Sequence, residues 1–168
     1  MMSLIEVLRL HHWIKNLLIF LPFVASQQAF SANVLQNLFL GFLSFGLLAS
    51  ATYILNDILD LKNDQKHITK KYRPIPSGKI SIQTGFLIII LLIAAIFFIT
   101  KKFEENNFLL YLIAYLGLSL SYSLYLKKIV LLDCFLLSIL YTIRIFAGGE
   151  LVNIIPSFWL TTFSIFLF

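Results

Sequence analysis

The sequence predicts an all-α protein, a bundle of helices that spans a membrane several times. Of its 168 residues, 60% are apolar and only 12% are charged, whereas soluble domains contain about half and about a quarter of such residues. A spanning helix needs about 20 apolar residues, so a chain of this length accommodates about five or six spans with short loops. The composition excludes a disordered chain, an ordinary soluble enzyme and, because Cys134 is the one cysteine, a secreted disulfide scaffold.

Six apolar segments follow one another along the chain. The five predicted spans cover about residues 16–30, 34–61, 80–100, 108–126 and 129–147, and a sixth, broken span begins near residue 157. We expect Pro22 to kink the first span, which stays in the mature protein because no small-residue cleavage site follows Leu17–Ala25. The sixth segment holds 12 residues before Phe168. Residues 1–168 are therefore predicted to form one membrane domain that is truncated at its C-terminus.

The placement of basic residues predicts the orientation. One set of connecting segments holds ten lysines and arginines, whereas the opposite set holds two, Lys101 and Lys102. Because cytoplasmic loops carry the excess of Lys and Arg, the N-terminus and the loops at 62–79 and 127–128 are predicted to be cytoplasmic. The expected location is a bacterial inner membrane. The net charge of +5 is explained by these loops, and no nucleic-acid partner is expected.

Acidic residues occupy the end of the second span. At about 100° per residue, Asp57, Asp60 and Asp64 share one helix face with Tyr53, which lies one turn earlier. A charge at membrane depth costs about 3 kcal/mol or more, so a cation is expected to neutralise these carboxylates. Carboxylate oxygens suit Mg²⁺, which also bridges to phosphates. The sequence therefore predicts Mg²⁺ at the three aspartates; the alternative is an acidic helix end that faces water.

A basic loop follows this acidic helix end directly. It contains His67, Lys70, Lys71 and Arg73, and the prolines of the segment 74–78 force a stiff turn after them. Lysine and arginine beside carboxylates that bind Mg²⁺ form the arrangement that a diphosphate needs. The alternative interpretation is a topology signal. Arg9 and Lys15, before and at the start of the first span, are open to the same two interpretations.

The fifth span carries charges within the membrane. Asp133 and Arg144 lie on the same helix face but about 16 Å apart along the axis, so they cannot pair directly. Both are expected to face the bundle interior. There they meet either an anionic substrate or polar groups of another helix. On the fourth span, Tyr111, Tyr115 and Tyr122 share a face that either packs against other helices or lines the same cavity.

Two runs of this sequence resemble the first signature of the UbiA-type prenyltransferase superfamily, a membrane bundle of about nine spans. They are Asn56-Asp57-x-x-Asp60-x-x-x-Asp64 and Lys70-Lys71-Tyr72-Arg73-Pro74-Ile75-Pro76-Ser77-Gly78. The resemblance implies that the aspartates, with Asn56 alongside, hold Mg²⁺ and the donor's diphosphate. It implies that Lys70, Lys71 and Arg73 point toward phosphate.

Other patterns resemble one branch, the decaprenyl-phosphate phosphoribosyltransferases and their relatives. They are Leu8-Arg9-x-x-His12-Trp13-x-Lys15-Asn16, His67-x-x-Lys70 and Leu126-Lys127…Asp133…Arg144…Gly148. The branch implies phosphoribosyl transfer from phosphoribosyl diphosphate to a polyprenyl phosphate. Lys15, Tyr53, Lys127, Asp133 and Arg144 are the expected further substrate contacts. The family's second acidic loop lies beyond the sixth span, so a separate C-terminal half is an expected partner.

Three alternatives stay open at the level of the sequence. The first is a prenyltransferase that moves a polyprenyl chain from its diphosphate to an aromatic or quinone-precursor acceptor. The second is a cation-binding transporter that uses the intramembrane aspartates, although no inverted repeat is visible. The third is an inactive truncated remnant of a transferase.

Overall fold

The computed structural model describes residues 6–27, 29, 31–103, 107–124 and 130–167. Every regular element in these ranges is a helix, which confirms the predicted fold class. A 3-10 helix, Leu10–Phe20, comes before the α-helices, which are α1 Leu21–Ser26, α2 Ala32–Leu59, α3 Leu61–Lys66, α4 Ile82–Thr100, α5 Phe108–Leu124, α6 Val130–Leu151 and α7 Phe158–Leu167. Short 3-10 turns cover Lys70–Tyr72 and Lys101–Phe103.

Helices overlap all the predicted spans, but within the described residues the second, third and fifth reach spanning length and the first and fourth do not. Three stretches are long and apolar enough to cross a membrane, Ala32–Leu59, Ile82–Phe103 and Cys134–Leu151, and α5 is a shorter apolar helix. The predicted first span is divided into the 3-10 helix and α1. Pro22 lies in the first turn of α1. Backbone N–H groups in a first turn make no hydrogen bond within the helix, so a proline is tolerated there and marks the start of the new helix.

Helix α2 lies at the centre of the bundle and contacts the 3-10 helix, α4, α5 and α6. The ring of Trp13 lies directly over Gly46, where an added Cβ would approach the ring to 2.6 Å. Trp13 Nε1 donates a hydrogen bond to Ser50 Oγ at 3.1 Å, and Ser50 Oγ donates to the carbonyl of Leu8 at 2.7 Å. These contacts fix the segment before the first span against α2, and they place Arg9 beside the end of that helix.

Gly148 of α6 marks the closest approach of the first predicted span. A Cβ at this position would overlap the carbonyl of Ile19, which is backbone and cannot turn aside as a side chain can. We expect Gly148→Ala to lower the free energy of unfolding by about 1–3 kcal/mol, measured as a lower melting temperature in detergent. Gly117→Ala is the matched control, because nothing lies within 4 Å of its Cβ position. An equal loss in both variants would contradict the contact.

Candidate active site

A polar cavity of about 290 Å³ lies where the 3-10 helix, α2, α5, α6 and the loop after α3 meet. The predicted site residues in its wall are Lys15, Tyr53, Asn56, Asp60, Lys70, Arg73 and Arg144. The wall is completed by Arg9, Thr52, Tyr115, Ser119, Tyr122, Ser123, Leu137, Leu140 and Tyr141. The fold therefore collects polar residues from distant parts of the sequence in one place.

Asp57 is buried beside this cavity and is held by two arginines. Its side chain is 6% exposed. Arg9 Nη2 donates to both carboxylate oxygens at 2.7 Å, and Arg73 Nη1 donates to Oδ1 at 3.0 Å. The guanidinium of Arg9 also lies 4.9 Å from the ring centre of Tyr53. The carboxylate therefore does not face water, and its counter-charge comes from the protein itself.

Arg73 links Asp57 to a second buried carboxylate, Asp64. Its Nη1 donates to Asp64 Oδ2 at 2.7 Å, and Lys70 Nζ lies 3.9 Å from Asp64 Oδ1. The helix is interrupted at Asp60, so the predicted continuous stripe is divided between α2 and α3. Asp57 and Asp64 nevertheless lie close enough to share one guanidinium.

The loop after α3 positions Arg73 through its own contacts. His67 Nδ1 accepts hydrogen bonds from the backbone N–H groups of Thr69 and Lys70, at 3.3 and 3.4 Å. Ile75 is buried in an apolar cluster with Val7, Ile54 and Ile80. The stiff turn expected from the two prolines is therefore anchored at Ile75, two residues after Arg73.

Arg144 occupies another part of the cavity wall and is only 5% exposed. Its Nε donates to Asn16 Oδ1 at 2.8 Å and its Nη2 to the hydroxyl of Tyr115 at 3.0 Å, while Nη1 donates to the carbonyl of Leu140. The guanidinium carbon lies 4.7 and 5.6 Å from the ring centres of Tyr115 and Tyr141. Arg144 therefore pairs with polar groups of other helices, as one expectation had it, and it also lines the cavity; its contact with an anionic substrate stays a prediction.

The remaining predicted site residues lie outside this arrangement. Lys71 is exposed, with its Nζ 5.1 Å from the ring centre of Tyr72, and it is not part of the cavity wall. Lys127 and the side chain of Asp133 lie outside the described residues. The roles of all three stay predictions.

Sequence reasoning left two groups of cavity residues undecided. For Arg9 the sequence allows either a topology signal or a phosphate contact. Its partner Asp57 is 48 positions away, so local spacing could not identify the pair. The spacing of aromatic residues on α5 was the available signal for Tyr115 and Tyr122, which line the cavity. Tyr111, from the same predicted face, packs against the apolar core instead.

His12 lies beside the cavity wall, with its ring centre 5.2 Å from that of Tyr53. Burial lowers the pKa of His12, and the nearby His11, Lys15 and Arg9 lower it further. We therefore expect a neutral imidazole at pH 7. The positive charge of the cavity then comes from its lysines and arginines.

The oxygen donors of this site fit Mg²⁺ in their chemistry. Asn56 and Asp60 line the cavity. Asp57 and Asp64 do not, but their carboxylates contact the lining side chains of Arg9, Lys70 and Arg73. Among the described residues, however, no three His, Cys, Asp or Glu side chains cluster closely enough to hold a metal ion. Both oxygens of Asp57 already accept hydrogen bonds from guanidinium groups, so an ion there would compete with the two arginines. The magnesium ligands therefore stay a prediction.

Comparison with known proteins identifies the family of this sequence. The sequence matches the UbiA prenyltransferase family over residues 17–168. It is 40% identical over 161 residues to protein y4nM of Sinorhizobium fredii, across 96% of this chain and 31% of that protein. It is 32% identical over 161 residues to the decaprenyl-phosphate phosphoribosyltransferase of Mycolicibacterium smegmatis, across 94% of this chain and 50% of that enzyme. The chain thus spans from about a third to half of the length of these curated relatives.

The fold is also similar to a solved structure, described as that of a digeranylgeranylglyceryl phosphate synthase in membranes. The TM-score is 0.72 at 20% sequence identity, over 90% of this chain and 54% of the other. At this identity the similarity establishes the fold alone. The family match and the apolar helices of this chain indicate an integral membrane protein.

Proposed function

We propose, from the premise that this chain belongs to the UbiA prenyltransferase family, that it serves a membrane transferase reaction between a diphosphate-bearing donor and a polyprenyl lipid. The observation that carries the proposal is the basic wall of the polar cavity, where Arg9, Lys70 and Arg73 lie beside buried carboxylates. The more specific proposal is transfer of phosphoribosyl from phosphoribosyl diphosphate to a polyprenyl phosphate. It is supported by the 32% identity to a decaprenyl-phosphate phosphoribosyltransferase.

In this reaction, an oxygen of the polyprenyl phosphate forms a bond to the anomeric carbon of the donor. The bond between that carbon and the diphosphate oxygen breaks, and the diphosphate leaves with the electron pair. Negative charge therefore accumulates on the leaving group. Lys70 and Arg73 line the cavity and can donate charge-assisted hydrogen bonds to it.

Enzymes of this family generally use Mg²⁺ with diphosphate substrates. In this chain Asp57, Asp60 and Asp64, with Asn56 alongside, would hold it, and the bound ion would neutralise charge on the diphosphate. The chain's own contribution is to keep the donor's phosphates at the cavity wall. Asp57 and Asp64 also keep Arg73 in position for this purpose.

The reaction is tested with membranes that carry the protein. Labelled phosphoribosyl diphosphate and a polyprenyl monophosphate should give a labelled lipid, and a chelator of divalent cations should abolish its formation. Turnover of a polyprenyl diphosphate with an aromatic acid, and none of phosphoribosyl diphosphate, would move the assignment to prenyl transfer. If neither product forms and neither donor binds, the transferase proposal is wrong.

Prenyl transfer is the second candidate, and one observation favours it. The sequence is 38% identical over 81 residues to the digeranylgeranylglyceryl phosphate synthase of Saccharolobus solfataricus, across 48% of this chain and 27% of that enzyme. A prenyl donor would bring its diphosphate to the same basic wall. The two reactions differ in the donor, which is phosphoribosyl diphosphate in one and a polyprenyl diphosphate in the other. They also differ in the acceptor, which is a lipid phosphate in one and an aromatic or quinone precursor in the other.

We also propose that the basic loop faces the cytoplasm of a bacterial cell, as the distribution of Lys and Arg predicts. Lys66 lies on the predicted cytoplasmic side and Lys102 on the opposite side, and both are exposed. In a Cys134→Ser background, Lys102→Cys should react with a membrane-impermeant thiol reagent in intact spheroplasts. Lys66→Cys should react only after the membrane is opened. The reverse pattern would invert the topology.

A further inference from the structure

We propose that Lys15 and Arg144 form a second anion subsite of the polar cavity, and that this subsite binds the phosphate of a lipid-linked phosphate monoester. The proposal rests on the proposed transferase function and names the acceptor's chemistry. It concerns a part of the wall separate from the aspartates and the loop after α3.

The charge balance of the cavity is uneven. Arg9, Lys70 and Arg73 are each within 4 Å of a carboxylate of Asp57 or Asp64. No carboxylate of the described residues lies within that distance of Lys15 or Arg144, although Arg144 is almost completely buried. A buried charge of this kind is stable only when another group compensates it. An anionic ligand in the cavity would provide that compensation.

The two cations are held near each other by one aromatic ring. Lys15 Nζ lies 5.5 Å and the Arg144 guanidinium 5.6 Å from the ring centre of Tyr141. A guanidinium has five N–H donors, and three hydrogen bonds from Arg144, to Asn16, Tyr115 and Leu140, are present. Two donors, one on each terminal nitrogen, therefore remain for the oxygens of a phosphate.

Asn16 supplies an independent indication of a missing ligand. It is 1% exposed, and its Nδ2 is a buried side-chain nitrogen without a hydrogen-bond partner among the described residues. Its Oδ1 accepts from Arg144, which fixes the amide beside the guanidinium. Buried donors are usually satisfied. Among the described residues, the Asn16 amide nitrogen has no acceptor and the neighbouring guanidinium has no carboxylate, which supports an anionic acceptor close by.

The environment of Lys15 and Tyr141 specifies a lipid as the source of the phosphate. Both residues also line a second cavity, of about 370 Å³, whose other walls are apolar and come from the 3-10 helix and α1. Ile14, Leu17 and Val24 of this cavity are between 54% and 69% exposed. The anion subsite thus adjoins an apolar groove, as a phosphate attached to a hydrocarbon chain requires. An aromatic acid would also need a positive charge, but without a hydrocarbon chain it would not need the apolar groove.

The test measures binding to the purified protein in detergent by calorimetry. The probes are a fifteen-carbon isoprenyl monophosphate, the alcohol of the same chain and inorganic phosphate. We expect the monophosphate to bind at least about tenfold more tightly than either of the others, because it alone has both a charge and a chain. Equal affinity for the alcohol would mean that no anion subsite exists. Equal affinity for inorganic phosphate would mean that the ligand is a free anion and not a lipid.

Variants locate the binding site. Lys15→Gln and Arg144→Gln should each weaken monophosphate binding about tenfold or more and leave the affinity for phosphoribosyl diphosphate with Mg²⁺ unchanged. Lys15 is only half-buried, so its variant keeps the test valid if Arg144→Gln does not fold. Lys101→Gln is the control, since Lys101 is exposed and outside the cavity. Wild-type affinity for the monophosphate in the folded Lys15 and Arg144 variants would overturn the proposal, and so would an equal loss of the affinity for phosphoribosyl diphosphate.

The result is distinguishable from failure of the proposed function. If phosphoribosyl diphosphate is not consumed but the monophosphate binds through Lys15 and Arg144, the subsite stands and the donor assignment falls. If the transfer occurs but both variants bind the lipid normally, the function stands and the subsite is wrong.

Discussion

Asp57→Asn is expected to lower transferase activity at least about 100-fold while the protein still inserts into the membrane. The substitution keeps the shape of the side chain but removes the charge that Arg9 and Arg73 share. Loss of one preorganised electrostatic contact typically costs a factor of about 10²–10³ in rate. Two guanidiniums also lose a carboxylate. We expect the free energy of unfolding to fall by about 2–4 kcal/mol. This is less than for a fully buried pair, because the side chains of Arg9 and Arg73 are 15% and 28% exposed.

A double variant separates the structural effect from the chemical one. Arg9→Gln together with Asp57→Asn removes one charge of each sign and should recover much of the melting temperature lost in the single variant. Activity should stay lost, because the carboxylate is still absent. Glu6→Gln is the control, since its pair with Lys79 at 3.9 Å is exposed and should contribute little. Wild-type activity in Asp57→Asn would remove this residue from the site.

Arg73→Gln is the second large effect that we expect. This one side chain contacts Asp57 at 3.0 Å and Asp64 at 2.7 Å and also lines the cavity. The side chain of Asp64 is 4% exposed. Without Arg73, the ion-pair partner that remains to it among the described residues is Lys70, at 3.9 Å. We therefore expect donor affinity to fall about 10- to 100-fold and the free energy of unfolding to fall by about 1–3 kcal/mol.

The measurements for Arg73→Gln are the dissociation constant of phosphoribosyl diphosphate with Mg²⁺ and the melting temperature in detergent. Lys66→Gln is the matched control, because Lys66 is a basic residue of the same region but is exposed. Arg73→Lys keeps the charge but not the fork that reaches two carboxylates, so it should recover part of each effect. If Arg73→Gln alters stability alone and leaves donor affinity unchanged, Arg73 is a structural counter-ion only.

The helices and the acidic and basic motifs could be predicted from the sequence because both depend on local spacing. Apolar runs of spanning length located α2, α4, α5 and α6. The Arg73-Pro-Ile-Pro-Ser-Gly run located the loop that brings Arg73 to the aspartates. In both cases the residues that decide the structure are neighbours in the chain.

The partner of Asp57 could not be predicted in this way. The cost of burying a carboxylate requires a nearby positive charge, but it does not say whether a metal ion or a guanidinium supplies it. Arg9 is 48 positions from Asp57, and its approach depends on how Trp13 packs against α2. The interruption of the helix at Asp60 could not be predicted either. The residues around it include no proline or glycine, so no local sequence signal marks the break.

Helix α4 has a consequence for how this sequence can change over time. Many of its side chains face away from the protein; Ile90, Leu91 and Phe98 are between 60% and 70% exposed. In a membrane protein such positions contact acyl chains, which have no fixed shape, so selection acts there on hydropathy and hardly on volume. Gly148 of α6, against the Ile19 carbonyl, is selected for size instead. In homologues, the residues on the outer face of α4 should therefore vary among aliphatic and aromatic types. The position of Gly148 should keep a small residue.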